Sequence, residues 1–142
     1  TTDGTRIFVA GGDEFYGFDA KSGELVMNQN HTAQKVGKAL FNFDAGDKSV
    51  IVSEKGLAAY SKKDGSVLYS TDKVKRVDSY FKRGDNFFLE NIKEQAIGID
   101  LANGNIKGIT EKAKKGFVDY TADGEYIVTF EKREVQMYKT NK

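Results

Sequence analysis

The chain has 142 residues, no cysteine, no tryptophan and a formal net charge of +1. This length suits one ordinary domain with a sizeable core. The absence of cysteine excludes a disulfide framework, a thiolate metal site and a cysteine nucleophile. The balanced charge provides no bulk attraction toward nucleic acid or membranes, and no apolar run is long enough to span a bilayer.

Glycines recur at a spacing of about 40 residues in two independent sets. The first set, spaced by 42, 38 and 40 positions, is Gly4, Gly46, Gly84 and Gly124. The second set, spaced by 42 and 39 positions, is Gly23, Gly65 and Gly104. A short aromatic or β-branched run follows each member of the first set, at residues 7–9, 50–52, 87–89 and 126–128. Such runs between turn residues are typical of strands buried on both faces.

Each repeat is predicted to contain four antiparallel strands, labelled A to D in chain order. Strand A is clearest at residues 39–43, 77–81 and 117–120, and strand B is the apolar run. Strand C precedes the second glycine, and strand D follows it at residues 25–27, 67–69 and 106–109. The predicted order is B-C-D, A-B-C-D, A-B-C-D and A-B-C, which makes fourteen strands.

Four strands in about 40 residues is typical of β-propeller blades. We therefore predict an all-β fold, a propeller arc of about three and a half four-stranded antiparallel blades. The repeats would occupy residues 1–34, 35–73, 74–112 and 113–142 of a single domain. Because both ends fall inside a blade, we expect a fragment of a larger propeller, whose remaining blades would be one partner of these residues. A small four-bladed ring with two incomplete blades, or a β-sandwich with coincidental turns, is the alternative.

Residues 57–69, LAAYSKKDGSVLY, and residues 18–26, FDAKSGELV, resemble the pyrroloquinoline-quinone-like (PQQ-like) propeller repeat. That repeat typically has a small-apolar pair, an Asp, a Gly turn and a strand that ends in Trp. Met27, Tyr69 and Gly108 occupy the Trp position here. The resemblance therefore implies the non-catalytic branch of the family, which resembles the scaffold propellers of bacterial outer-membrane assembly.

The resemblance implies a non-enzymatic binding or scaffold module whose loop faces meet a protein or other macromolecular partner. The alternative is part of a propeller enzyme, quinoprotein dehydrogenase-like or accessory, with its catalytic residues outside this segment. We assign no catalytic residue, cofactor or metal site. The resemblance also implies a periplasmic or cell-surface location. No signal peptide is visible in the segment, and the sequence leaves a cytoplasmic location open.

Isolated polar motifs give little sign of catalysis. His31 is the only histidine and no Gly-x-Ser-x-Gly motif accompanies it, so we predict a solvated loop histidine. Arg83-Gly84-Asp85 aligns with the other A–B turns, so we predict an ordinary turn. Acidic residues recur at the A–B turns, namely Asp44, Asp47, Asp85, Asp123 and Glu125. We predict that Asp and Gly there satisfy the turn backbone groups.

The D–A connections are rich in basic residues. These residues are Lys35, Lys38, Lys73, Lys75, Arg76, Lys112, Lys114 and Lys115, against the acidic Asp72 and Glu111. In a propeller these connections share one face with the B–C loops. We therefore predict a partner-binding face for an anionic surface, with solvated loops that keep the protein soluble as the alternative. Nucleic acid is not expected, because these loops carry few aromatic residues for stacking. An open arc would expose apolar blade faces, so self-association is also expected.

Overall fold

The computed structural model describes residues 1–113, 118–131 and 133–141, and the statements below refer to those residues. They form fourteen β-strands and one turn of 3-10 helix, His31–Gln34. The strands are β1 (Arg6–Gly11), β2 (Glu14–Asp19), β3 (Leu25–Asn30), β4 (Ala39–Ala45), β5 (Lys48–Ser53), β6 (Gly56–Ser61), β7 (Val67–Thr71), β8 (Val77–Arg83), β9 (Asn86–Asn91), β10 (Ala96–Ile99), β11 (Ile106–Ile109), β12 (Val118–Tyr120), β13 (Tyr126–Glu131) and β14 (Glu134–Lys139). No helix in these ranges is long and apolar enough to cross a membrane.

The strands form four antiparallel sheets in which chain neighbours are paired. Sheet 1 is β1-β2-β3, sheet 2 is β4-β5-β6-β7, sheet 3 is β8-β9-β10-β11 and sheet 4 is β12-β13-β14. The predicted fourteen strands and their grouping into three, four, four and three are confirmed. Phe117, the predicted first residue of the last strand A, lies outside the described residues.

The chain divides into two compact units. Unit 1 is Thr1–Lys75 and contains sheets 1 and 2, while unit 2 is Arg76–Lys142 and contains sheets 3 and 4. Each unit therefore holds two of the predicted repeats. The turns that separate strands A and B use glycine with positive φ, as at Gly46 (φ 68°) and Gly84 (φ 53°). Only glycine adopts this conformation without strain, which explains the recurrence of the first glycine set.

The core of unit 1 is an aromatic stack between sheets 1 and 2. The Phe15 ring lies 4.4 Å from the Tyr60 ring and 5.9 Å from the Phe8 ring, measured between centroids. Met27 and Ile51 complete this cluster from β3 and β5. Strands β5 and β6 are buried on both faces, as the continuous apolar run at residues 50–52 predicted.

Unit 2 has a core of the same kind. The Phe88 ring stacks on both Phe81 and Tyr120, with centroids 5.0 Å apart in each pair. Ile127 of sheet 4 packs against the same cluster. The phenol of Tyr120 comes so close to β10 that a Cβ on Gly98 would lie 1.8 Å from its hydroxyl oxygen. A glycine at this position therefore allows the ring to pack against the strand backbone.

Candidate functional site

The D–A and B–C connections of unit 1 lie side by side at one end of its sheets. The Lys55 amide donates to the Val36 carbonyl oxygen (2.8 Å), and the Val74 amide donates to the Lys55 carbonyl oxygen (3.0 Å). The His31 amide likewise donates to the Asp13 carbonyl oxygen (2.7 Å). We call residues 12–13, 31–38, 54–55 and 72–75 the loop face of unit 1. The adjacency predicted for these connections is therefore present within this unit.

Four of the predicted partner-binding residues are exposed on the loop face of unit 1: Lys35, Lys38, Lys73 and Lys75. Lys35 has a left-handed backbone (φ 60°) at the end of the 3-10 helix, and its amide donates to the Thr32 carbonyl oxygen. The buried Val36 and Val74 lie between these lysines in sequence, so each connection is anchored in the core while its charges stay in solvent.

The basic residues of unit 2 divide between described and undescribed positions. Arg76 and Lys112 are exposed, and the Arg76 carbonyl oxygen accepts from the Ile92 amide of the B–C loop (3.1 Å). The Lys112 ammonium lies 3.7 Å from the Glu94 carboxylate, and both side chains are about 70% exposed, so this pair is weak. Lys114 and Lys115 lie outside the described residues.

A groove opens beside the B–C loop of unit 2. Its volume is about 490 Å³, and it is lined by Ile92, Lys93, Glu94, Gln95, Glu111 and Lys112. The loop between β9 and β10 has four residues, whereas the loop between β5 and β6 has two. The extra length places Ile92 in solvent with 51% of its surface exposed. Sequence reasoning missed this groove, although a count of residues between strands B and C would have indicated it.

The groove loop is held by hydrogen bonds rather than by packing. The Asn91 side-chain oxygen accepts from the amides of Lys93 (3.0 Å) and Gln95 (3.1 Å). Glu94 adopts φ 61°, and its carbonyl oxygen accepts from the Ala113 amide (2.8 Å). A non-glycine residue in this conformation carries backbone strain, which the surrounding hydrogen bonds offset. The groove wall is therefore preorganised.

His31 is completely buried, so the prediction of a solvated loop histidine is wrong. Its Nδ1 lies 2.7 Å from the Tyr60 hydroxyl and its Nε2 lies 2.7 Å from the Ser53 hydroxyl. The 3-10 helix begins at His31 and turns its ring between the sheets. Burial lowers the pKa of His31, while the negative charge of Asp13 opposes that shift. With both ring nitrogens engaged, His31 serves packing rather than catalysis or metal binding.

At the A–B turn before β13, the Asp123 carboxylate accepts from the Glu125 amide (3.0 Å), as predicted. The C–D turns, at the same end of the sheets, use aspartate in the same way. The Asp19 carboxylate accepts from the Lys21 and Ser22 amides, and the Asp100 carboxylate accepts from the Ala102 amide. Hydrogen bonds from the Ser66 hydroxyl and amide lower the pKa of Asp64 to about 2. Arg83-Gly84-Asp85 is the β8–β9 turn, as predicted. No group of three or more His, Cys, Asp or Glu residues suited to a metal occurs among the described positions.

A scan of known protein families and a search of curated protein sequences give no match to this chain. Two crystal structures of computationally designed proteins are similar to it. The first, Ika8, aligns with a TM-score of 0.65 and 10% identity over 98% of this chain and 44% of the Ika8 chain. The second, Ika4, aligns with a TM-score of 0.62 and 10% identity over 96% of this chain and 86% of the Ika4 chain. The chain thus spans less than half the length of Ika8, and the likeness shows a shared all-β fold alone.

Proposed function

We propose that the chain is a β-propeller arc of PQQ-like repeats that acts as a non-enzymatic binding or scaffold module. Its partner would be a protein with an acidic segment, held at the loop face of unit 1. The observation that carries the proposal is the row of four exposed lysines on hydrogen-bonded connections of that face. Opposite charges in a partner would be attracted to this face and would gain most at low salt.

The charge distribution supports this choice of face. The loop face of unit 1 holds five basic residues, Lys35, Lys38, Lys55, Lys73 and Lys75, against the acidic Asp13, Glu54 and Asp72. At the other end of the sheets, aspartates fold back onto their own turns and accept backbone hydrogen bonds. A chain with a net charge of only +1 therefore has an uneven distribution of charge. Such an arrangement favours association at one end over non-specific adhesion.

Chemistry at the site also supports binding over catalysis. The only histidine is buried with both ring nitrogens hydrogen-bonded, so it offers no base to a substrate. The groove beside Ile92 combines one apolar side chain with charges of both signs on a rigid loop. This composition suits contact with a polypeptide surface, in which an apolar anchor is surrounded by polar contacts.

The proposal is tested by charge reversal. The paired variant Lys73→Glu and Lys75→Glu should weaken binding of a fluorescein-labelled oligoglutamate peptide by about tenfold at low ionic strength, since each surface charge contributes up to about 1 kcal/mol. Fluorescence anisotropy at several salt concentrations measures this change. The wild-type affinity should fall as salt rises.

A matched control separates the loop face from overall charge. Lys21→Glu with Lys63→Glu makes the same change in net charge at the opposite end of unit 1, where both lysines are also exposed. This control should bind within about twofold of the wild type. Equal loss in both paired variants, or no loss in either, would reject the loop face as the binding surface.

A further inference from the structure

The sheets of each unit pack with a fixed polarity. In unit 1, Phe8 and Phe15 of sheet 1 meet Ile51 and Tyr60 of sheet 2. In unit 2, Phe88 of sheet 3 meets Ile127 of sheet 4. We call the face that an earlier sheet presents to the next sheet its forward face. The opposite face of a sheet, which in sheets 2 and 4 packs on the preceding sheet of the same unit, is its backward face.

Each unit also carries an apolar face that is exposed to solvent. The backward face of sheet 1 carries Ile7 and Val9, which are 46% and 43% exposed. Pairing places Phe18 opposite Ile7 and Tyr16 opposite Val9, so these two aromatic residues share the same face. Both are only partly buried, and their rings contact each other at 6.1 Å between centroids.

The forward face of sheet 4 is the counterpart. It carries Phe130, Val135 and Met137, which are 43%, 64% and 54% exposed. Pairing places Val135 opposite Phe130 and Met137 opposite Val128, so the four side chains form one apolar patch. Single exposed apolar residues are ordinary on a protein surface, but patches of four across paired strands indicate an interaction surface.

The repeat shows which surfaces these two faces fit. Val9 and Phe18 lie 42 positions before Ile51 and Tyr60, which are buried against the forward face of sheet 1. Val128 lies 40 positions after Phe88, which is buried against the backward face of sheet 4. The exposed backward face of sheet 1 is therefore equivalent to the buried backward face of sheet 2. The exposed forward face of sheet 4 is likewise equivalent to the buried forward face of sheet 3. A forward face packed on a backward face is the contact that each unit already contains.

We propose that the forward face of sheet 4 packs on the backward face of sheet 1 of a second copy, and the reverse, in a closed assembly of two copies. A second copy is the occupant because this chain carries both complementary faces. Two copies are inferred because two is the smallest number in which each copy covers both exposed faces of the other. This inference rests on the proposed propeller arc but not on the loop-face partner.

Aspartate substitutions test the two faces separately. Val9→Asp and Met137→Asp should each raise the dimer dissociation constant by about 30-fold or more, because a carboxylate would be buried at the centre of the contact. Sedimentation equilibrium of the full chain measures this constant. Leu68→Asp is the matched control, since Leu68 is 44% exposed on β7, outside both faces, and its dimer should be unchanged.

Mixing the two variants distinguishes this contact from a symmetric one. A mixture of Val9→Asp and Met137→Asp retains one contact without either substitution, so dimers should reappear in it. Circular dichroism and urea unfolding check that each variant is folded. The proposal is overturned if the wild-type chain is a monomer up to about 1 mM, if only one variant dissociates the dimer, if the mixture stays monomeric, or if the assembly exceeds two copies. Oligoglutamate binding is scored independently, so failure of one proposal leaves the other open to its own test.

Discussion

Units 1 and 2 each bury a tyrosine hydroxyl, that of the fully buried Tyr60 and that of the partly buried Tyr120, yet they differ in how the hydroxyl is accommodated. In unit 1 the Tyr60 hydroxyl lies 2.7 Å from His31 Nδ1, and the second ring nitrogen of His31 meets the Ser53 hydroxyl. In unit 2 the Tyr120 hydroxyl is buried without a hydrogen-bond partner among the described residues. An unpaired buried hydroxyl costs about 1–3 kcal/mol, so equivalent packing leaves unit 2 with a local penalty that unit 1 avoids.

The strand-C position that carries a small residue in sheets 1 to 3 also differs between the units. The residue there is Gly17 in sheet 1, Ala59 in sheet 2 and Gly98 in sheet 3. A Cβ on Gly17 would lie 3.1 Å from the Cβ of Met27 on the paired strand β3, which is a tight contact without overlap. A Cβ on Gly98 would lie 1.8 Å from the Tyr120 oxygen and 2.9 Å from its Cζ, which is a clash with a stacked ring. The position is therefore adaptable in unit 1 and strict in unit 2.

The largest expected effect follows from this clash. Gly98→Ala should lower the free energy of unfolding by about 3 kcal/mol, because the rigid Tyr120 ring stacks on Phe88 and has little room to move. Gly17→Ala should cost only about 1 kcal/mol, because β3, which carries the Met27 Cβ, needs to shift by just a few tenths of an ångström. Urea unfolding followed by circular dichroism measures both. Adding Tyr120→Phe to Gly98→Ala should recover part of the loss, and strict additivity of the two changes would contradict the proposed clash.

A second, smaller effect should appear as a pH dependence that depends on His31. The pKa of His31 in the folded chain lies below the ordinary value of 6.5. Between that lower pKa and pH 6.5, His31 is therefore protonated in the unfolded chain but neutral in the folded chain. Stability should therefore be fully present above about pH 7.5 and fall by up to about 1.4 kcal/mol per pH unit below 6.5, until the folded-state pKa is reached. Urea unfolding between pH 7.5 and pH 5.5 measures the slope.

The control for this prediction is His31→Gln, which removes the titrating ring. The variant should be less stable at pH 7.5, since one buried hydroxyl loses its partner, but its stability should hardly change between pH 7.5 and pH 5.5. The turn carboxylate of Asp64 does not titrate between pH 5.5 and pH 7.5, because hydrogen bonds from Ser66 lower its pKa to about 2. An equal slope in the wild type and the variant would show that another group titrates.

The strands were predictable from the sequence because local rules determine them. Turn glycines with positive φ, such as Gly46 and Gly104, punctuate apolar runs in every repeat, and neither signal depends on distant residues. The burial of His31 was not predictable in this way. Its partners Ser53 and Tyr60 lie 22 and 29 positions away, so only the packing of sheet 1 on sheet 2 brings them together.

The candidate site was predictable in part for the same reason. Sequence spacing located the basic D–A connections, and within unit 1 their contact with the B–C loops follows from strand order alone. In unit 2 the sequence indicates only a longer B–C loop, because the shape of the groove depends on the left-handed conformation of Glu94 and on the hydrogen bonds of Asn91. The division between units 1 and 2 likewise comes from tertiary contacts, because the repeat period is uninterrupted there.

The smallest expected effect tests the unpaired hydroxyl directly. Tyr120→Phe should leave the free energy of unfolding unchanged or raise it by up to about 1 kcal/mol, because it removes a buried polar atom without a described partner and keeps the ring stack on Phe88. Tyr60→Phe in unit 1 is the matched control, and it should be destabilising because it leaves His31 Nδ1 unpaired. Urea unfolding at pH 7.5 compares the two. If Tyr120→Phe proved as costly as Tyr60→Phe, the Tyr120 hydroxyl would have a partner after all, and the two units would satisfy their buried tyrosines alike.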